Sequence, residues 1–177
     1  LHTNELLASG GYWAALASDK IYANYGAMIG SIGVRGPDWI YYDKPISIST
    51  GILGQSIETK DGIKTYNTIA GRSKDLFNSF RMPTKEETKI LQSIITGVYI
   101  DFVNIVSKKR SIESNFITED LGALIFDAKM AKENYLIDDI KNLQEVINQM
   151  IKELALIDYK IIYQERKQSF FKELIQS

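Results

Sequence analysis

Ser9-Gly10-Gly11-Tyr12 stands near the start of the chain, directly before the apolar run Trp13-Ala14-Ala15-Leu16-Ala17. A serine and two glycines before such a run predict a tight turn that leads into a short helix over residues 10–18. The first N–H groups of a helix are unpaired and carry a positive partial charge. Ser9 is therefore a candidate nucleophile, with the Gly10 amide as an oxyanion donor, although a serine there can also be a simple helix cap.

Composition narrows the classes of function that fit the chain. The 177 residues are 45% hydrophobic, which suits a single domain over residues 1–177. A formal net charge of -1 and the lack of a basic stripe argue against nucleic acid as a partner. The chain has no cysteine, so a disulfide framework and a thiolate nucleophile are excluded.

The chain has a single histidine, His2, which argues against two kinds of catalytic or metal site. It lies on the segment that leads into the Ser9 turn, so its imidazole can hardly fold back onto that serine as in a Ser-His-Asp triad. One histidine also cannot build a His-rich metal centre, and we expect no metal and no cofactor. If Ser9 is a nucleophile, its base should be a lysine or a carboxylate.

The first half of the chain reads as short strands and loops. Ile21-Tyr22-Ala23-Asn24 predicts a short strand, and the apolar segment Ala27–Val34 is interrupted by Gly30-Ser31-Ile32-Gly33, where the backbone should turn tightly. Residues 35–68 alternate apolar and polar side chains between glycines and prolines, which predicts strands and loops. No apolar run reaches the length of about 20 residues that spans a bilayer.

The second half is predicted to be mainly helical. Thr84-x-x-Glu87 predicts a capping box at the start of a helix that runs to about Lys108. Its predicted buried face consists of apolar residues at helical spacing: Ile90, Leu91, Ile94, Ile95, Val98, Phe102, Ile105 and Val106.

The remaining pattern predicts further helices and strands, and so a mixed α/β domain. A helix over 118–134 should end near Asn134, and Tyr135-Leu136-Ile137 should form a brief strand. Asp139 is the predicted cap of another helix. A strand over 158–164 and a short helix over 169–176 are predicted at the end of the chain.

Several ordered motifs together resemble the signal peptide peptidase family SppA, serine proteases of the ClpP/crotonase-like α/β fold. The stretches that carry the resemblance are Asn4–Trp13, Ala17–Asn24, Gly30–Val34, Gly71-Arg72-Ser73-Lys74-Asp75 and Arg81-Met82-Pro83-Thr84. The resemblance implies that Ser9 is the nucleophile and Lys74 its general base. It also implies that Ser31 supports the lysine amine and that Gly10 supplies an oxyanion amide.

The same resemblance implies a function and a setting. A Ser-Lys dyad would hydrolyse short apolar peptides such as remnant signal peptides, in a homo-oligomer. The chain itself is expected to be soluble, and the family resemblance places it at a membrane or outside the cytoplasm. Lysine can be a base only where its pKa falls from about 10.4 toward neutrality.

Family members carry further strands, a second oxyanion loop and a membrane anchor upstream of the nucleophile. The chain is therefore expected to be the C-terminal portion of such a protease domain, with the N-terminal part of the fold missing. The stretch between Val34 and Gly71 is also longer than the family pattern predicts. An alternative function is a catalytically silent peptide-binding or scaffold module with the same fold.

Overall fold

Short strands alternate with helices through the chain, as a computed structural model describes it over residues 1–42 and 68–162. The mixed α/β class predicted from the sequence is confirmed. Within these two ranges, the elements in chain order are β1 (His2–Thr3), β2 (Leu6–Ala8), α1 (Gly10–Ala15), β3 (Tyr22–Ala23), β4 (Met28–Gly30), α2 (Lys85–Arg110), a π-helical turn (Phe116–Leu121), β5 (Ile125–Asp127), α3 (Ala128–Glu133), β6 (Asp139–Ile140) and α4 (Leu143–Glu153).

The described strands form two small sheets. One has the order β1-β3-β6 with parallel pairing throughout, and the other has the order β2-β4-β5. In the second sheet β2 and β4 are parallel, with Ala8 opposite Gly30, and β5 is antiparallel to β4. Parallel β2 and β4 end at the same edge of the sheet, so the residues that follow them are neighbours.

The hydrophobic core lies between these sheets, α1 and the second half of α2. Trp13 stacks on Phe102 of α2 with ring centroids 4.6 Å apart. Tyr12 is fully buried, and its hydroxyl donates a hydrogen bond of 2.7 Å to the carbonyl oxygen of Leu136. Burial raises the pKa of Tyr12 well above its usual value. α1 is thus fixed by packing on one side and by a buried hydrogen bond on the other.

α2 begins where its capping box predicts. The Thr84 hydroxyl accepts from the Glu87 amide at 3.1 Å, and the Glu87 carboxylate accepts from the Thr84 amide at 2.9 Å. The helix runs to Arg110 and ends at Ser111, whose φ of 55° is left-handed. The predicted helix is therefore confirmed to within two residues at its C-terminal end.

The predicted buried face of α2 is right for only two of its eight residues. Phe102 and Val106 are buried, Leu91 and Ile95 are half-buried, and Ile90, Ile94, Val98 and Ile105 are exposed. Only the second half of the helix reaches the core, because the first half extends beyond the two sheets. Helical spacing identifies an apolar stripe, but it cannot show where along the helix the core ends.

α2 is also long and apolar enough to cross a membrane, judged by length and composition only. Its most apolar 18-residue window has a mean hydropathy of 1.5, and 17% of that window is buried. The sequence-based expectation that no segment is long and apolar enough to span a bilayer is therefore wrong for α2, by length and composition.

The helix predicted over 118–134 is wrong. The π-helical turn stops at Gly122, whose φ is 55°, and Ile125–Asp127 then form strand β5 beside β4. A new helix, α3, starts only after Asp127, whose carboxylate accepts from the Met130 amide at 2.7 Å. Pairing with β4 is a long-range interaction that overrides the local helical spacing.

The elements predicted for the last part of the chain also differ from those in the structure. Tyr135, and not Asn134, has the left-handed φ of 61°, and no strand forms over 135–137. Asp139 belongs to strand β6, and Asn142 caps α4 in a capping box with Glu145. Residues 158–162 form no strand, and the other predicted elements, over 43–67 and beyond 162, lie outside the described residues.

Candidate active site

Ser9 occupies a strained turn between β2 and α1. Its φ of 51° and ψ of −127° are unusual for a residue with a side chain, and such strain persists only where the surroundings fix it. The Ser9 amide donates to the Gly30 carbonyl at 2.9 Å, and the Ser9 carbonyl accepts from the Trp13 amide at 2.9 Å. The side chain makes no capping hydrogen bond and is exposed. The geometry therefore favours a presented hydroxyl over a helix cap.

Ser31 lies beside Ser9. Each serine follows by one residue the matched pair Ala8 and Gly30 on the parallel strands β2 and β4. Neighbouring strands lie about 4.8 Å apart, so the two serine backbones are adjacent at the sheet edge. Ser31 has a φ of 53°, and its amide donates to the Leu124 carbonyl at 2.7 Å. The structure thus brings two of the predicted site residues together.

Gly30 is needed for this arrangement. Its φ of 128° is rarely adopted by residues with a side chain, and an added Cβ would lie 2.5 Å from the Leu124 carbonyl oxygen. The close approach lets the loop at Leu124 accept the hydrogen bond from Ser31. A glycine at this position therefore fixes the backbone on which Ser31 sits.

Gly10 is the first residue of α1, so its N–H has no acceptor within the helix. Nothing lies within 4 Å of the position that a Cβ would take on Gly10. Open space beside an unpaired amide at a helix start suits the binding of a developing negative charge. The oxyanion role of Gly10 stays a prediction.

Lys74 lies in a turn beside the start of α2, in which the Lys74 amide donates to the Gly71 carbonyl at 3.4 Å. Arg81 connects this turn to Glu87 of α2. α2 covers about 22 Å between Glu87, near this turn, and Phe102, which stacks on Trp13. Within residues 1–42 and 68–162, no hydrogen bond joins the exposed Lys74 side chain to Ser9 or Ser31. The Ser9–Lys74 pair stays a prediction.

An ion cluster beside Lys74 was missed by sequence reasoning. The Arg81 guanidinium makes two-pronged contacts of 2.8 Å with the Asp75 carboxylate and of 2.9 Å with the Glu87 carboxylate. It also lies 5.1 Å from the centre of the Trp39 ring. These partners are separated in sequence, so only the motifs Lys74-Asp75 and Arg81–Thr84 could have drawn attention to them.

The cluster keeps its carboxylates charged. Hydrogen bonds from Arg81 hold the pKa of Glu87 far below its usual value, and the Thr84 amide and the Ser73 hydroxyl add to this effect. Hydrogen bonding to Arg81 likewise lowers the pKa of Asp75. The start of α2 thus combines a capping box with a charge-assisted network.

A groove begins directly after Ser31. It has a volume of about 280 Å³ and separates the segment after β4 from α2. Its lining is mostly apolar with a few polar side chains: Ile32, Gly33, Val34, Gln92, Ile95, Thr96, Tyr99 and Ala123. Over the described parts of the chain, no group of three His, Asp or Glu residues is arranged to hold a metal ion.

Comparison with known proteins shows which protein family the chain matches. The sequence profile of Peptidase family S49 matches residues 2–157. A protein of Enterococcus faecium named "Putative signal peptide peptidase SppA" is 32% identical over 155 residues, which cover 88% of this chain and 41% of that protein. Protease 4 of Haemophilus influenzae is 28% identical over 145 residues, which cover 81% of this chain and 21% of that protein.

The chain belongs to Peptidase family S49. The resemblance to the SppA family that the motifs indicated is thereby confirmed. The chain spans less than half the length of these two curated relatives. Among solved structures, the 1510-N membrane-bound stomatin-specific protease aligns with a TM-score of 0.39 and 18% identity, over 81% of this chain and 49% of that one.

Proposed function

We propose that this chain is the nucleophile-bearing part of a serine endopeptidase with a ClpP/crotonase-like fold. The observation that carries the proposal is the strained, exposed Ser9 at a strand-to-helix turn, beside Ser31 and the open Gly10 amide. Membership of a peptidase family supports it. The hydroxyl of Ser9 is presented at the turn, as hydrolysis by a serine nucleophile requires.

The proposed reaction uses Lys74 as general base. A neutral Lys74 amine takes the proton from Ser9 Oγ while this oxygen bonds to the carbonyl carbon of a peptide. The oxyanion that forms accepts a hydrogen bond from the Gly10 amide. The carbon–nitrogen bond then breaks, the Lys74 ammonium protonates the leaving amine, and water hydrolyses the ester on Ser9.

For this reaction the Lys74 amine has to reach Ser9 and Ser31. Ser31 would then hold the amine by a hydrogen bond from its position at the end of β4. The apolar lining of the groove after Ser31 suits short apolar peptides, such as remnants of signal peptides. We extend the proposal to a homo-oligomer that acts at a membrane surface, as the family resemblance implies.

Covalent labelling tests the proposal. A fluorophosphonate should label the protein at Ser9, and Ser9→Ala should abolish this labelling. Lys74→Ala should reduce it by at least about 100-fold, because the base is lost. The matched control Lys89→Ala removes another exposed lysine and should leave the rate within about twofold. Equal labelling of the Ser9→Ala protein would exclude Ser9 as the nucleophile.

A second candidate function is a catalytically silent peptide-binding module. The observation that favours it is that no hydrogen bond joins Lys74 to Ser9 within the described residues. Such a module would bind apolar peptides with the same affinity in wild type and in Ser9→Ala, and fluorophosphonate would label neither protein. Isothermal titration with a signal-peptide fragment separates the two functions.

A further inference from the structure

Both sequence neighbours of Lys74 are tied to the Arg81 cluster. The Asp75 carboxylate accepts two hydrogen bonds from Arg81, each of 2.8 Å. On the other side of Lys74, the Ser73 hydroxyl faces the Glu87 carboxylate, which Arg81 also holds. Ser73 itself has a left-handed φ of 60°. Lys74 is thus the exposed member between two anchored residues.

The anchor, which consists of Arg81 with the Asp75 and Glu87 carboxylates, is held by further contacts. Glu87 is 4% exposed and is fixed to the first turn of α2 by its capping box with Thr84. Trp39 covers the guanidinium of Arg81, and the indole N–H donates to the carbonyls of Asn78 and Arg81 at 3.2 and 3.1 Å. One arginine therefore connects the Lys74 turn, the start of α2 and the segment after β4.

We propose that Arg81 is a positioning residue for the catalytic lysine: its two-pronged bonds to Asp75 and Glu87 fix the turn that presents Lys74. The proposal rests on the proposed function, in which Lys74 is the base. Arg81 does not touch the substrate. It limits the conformations that the turn can adopt, so the position of Lys74 depends on the start of α2 and not on the Lys74 side chain alone.

A lysine at position 81 cannot replace this arginine. The planar guanidinium reaches two carboxylates at once with parallel N–H groups, whereas an ammonium is a point charge. Arg81→Lys should therefore keep the charge and lose most of the positioning. Arg81→Met removes both.

Arg72 provides a matched control in the same turn. It precedes Lys74 by two residues and pairs with Glu86 of α2 at 2.9 Å, but its side chain is 80% exposed and that of Glu86 is 55% exposed. Exposed pairs contribute little to stability. Arg72→Met should therefore leave the turn in place.

The experiment measures the rate of fluorophosphonate labelling at Ser9 in wild type, Arg81→Met, Arg81→Lys and Arg72→Met. Both Arg81 variants should label at least about tenfold more slowly, because small misplacement of a catalytic group is costly. The loss should be similar in both variants, because a lysine keeps the charge without the two-pronged geometry. Arg72→Met should match wild type.

Amide hydrogen exchange over residues 70–78 measures how firmly the Lys74 turn is held, without any catalytic assay. Faster exchange in Arg81→Met together with slower labelling of Ser9 supports the proposal. Unchanged exchange, or faster exchange with labelling of Ser9 at the wild-type rate, overturns it. If Arg81→Met fails to fold, Asp75→Asn removes only the contact next to Lys74 and should give the same two effects. Wild-type labelling of Lys74→Ala would instead overturn the proposed function, whatever the exchange shows.

Discussion

At the scale of single residues, the site is made by backbone angles that side chains normally avoid. Ser9 and Ser31 have φ values of 51° and 53°, and Gly30, which precedes Ser31, has a φ of 128°. The two serine conformations cost about 1–3 kcal/mol each and have to be offset by the packing around them, whereas glycine adopts a positive φ without this cost. The buried hydrogen bond from Tyr12 to Leu136 and the stacking of Trp13 on Phe102 hold the turn that bears Ser9.

Gly30→Ala should lower the free energy of unfolding by about 2–4 kcal/mol, because its new Cβ meets the Leu124 carbonyl and its φ is strained. Labelling at Ser9 should fall as well. Gly97→Ala is the matched control: Gly97 lies inside α2 with open space around it, so alanine should stabilise the protein by up to about 1 kcal/mol. Urea unfolding compares the two variants, and equal effects would contradict the role assigned to Gly30.

At the scale of elements, the start of α2 is the place where charge matters most. Glu87 closes the capping box and accepts from Arg81, so its folded pKa is far below the value of about 4.3 in an unfolded chain. A carboxylate with a lowered pKa stabilises the fold above its unfolded pKa, and the stabilisation disappears as pH falls toward the folded pKa. Asp75 acts in the same direction.

Stability should therefore fall between about pH 5 and pH 2 more steeply in wild type than in Glu87→Gln, which has no carboxylate to protonate at that position. Near pH 7 the variant should be the less stable protein, because Arg81 then lacks one ionic partner. Urea unfolding followed by tryptophan fluorescence at several pH values measures both effects. Parallel pH profiles for the two proteins would show that Glu87 does not contribute to the acid sensitivity.

At the scale of the whole molecule, α2 joins two regions. Its second half packs in the core through Phe102, and its first half carries the Arg81 cluster beyond the sheets. Phe102→Ala should cost about 3–5 kcal/mol by leaving a cavity under Trp13. Ile100→Ala removes a side chain from a position that is 52% exposed and should cost far less. Thermal unfolding measures the difference, and similar midpoints would place Phe102 outside the core.

The parts of this architecture that were predictable are those encoded locally. The Thr84 capping box determines where α2 starts, and the glycines around Ser31 indicate the turn at the end of β4. The parts that were missed depend on distant residues. Strand β5 forms only because β4 lies beside it, and the Arg81 cluster needs Trp39 and Glu87 to come together. The family motifs predict Ser9 and Lys74 as site residues, but spacing alone gives no distance between them.

The register of β2 and β4 has a consequence for how the chain can change in length. Ser9 and Ser31 are neighbours because each follows a matched pair, Ala8 and Gly30, by one residue. Adding or deleting a residue within either strand would displace the serine that follows it. The side chains of that strand would also move to the opposite face of the sheet. The exposed turn at Tyr25–Gly26 lies between the strands and carries no such constraint. We expect inserted residues to be tolerated at this turn, where a reporter tag could be placed without separating the two serines.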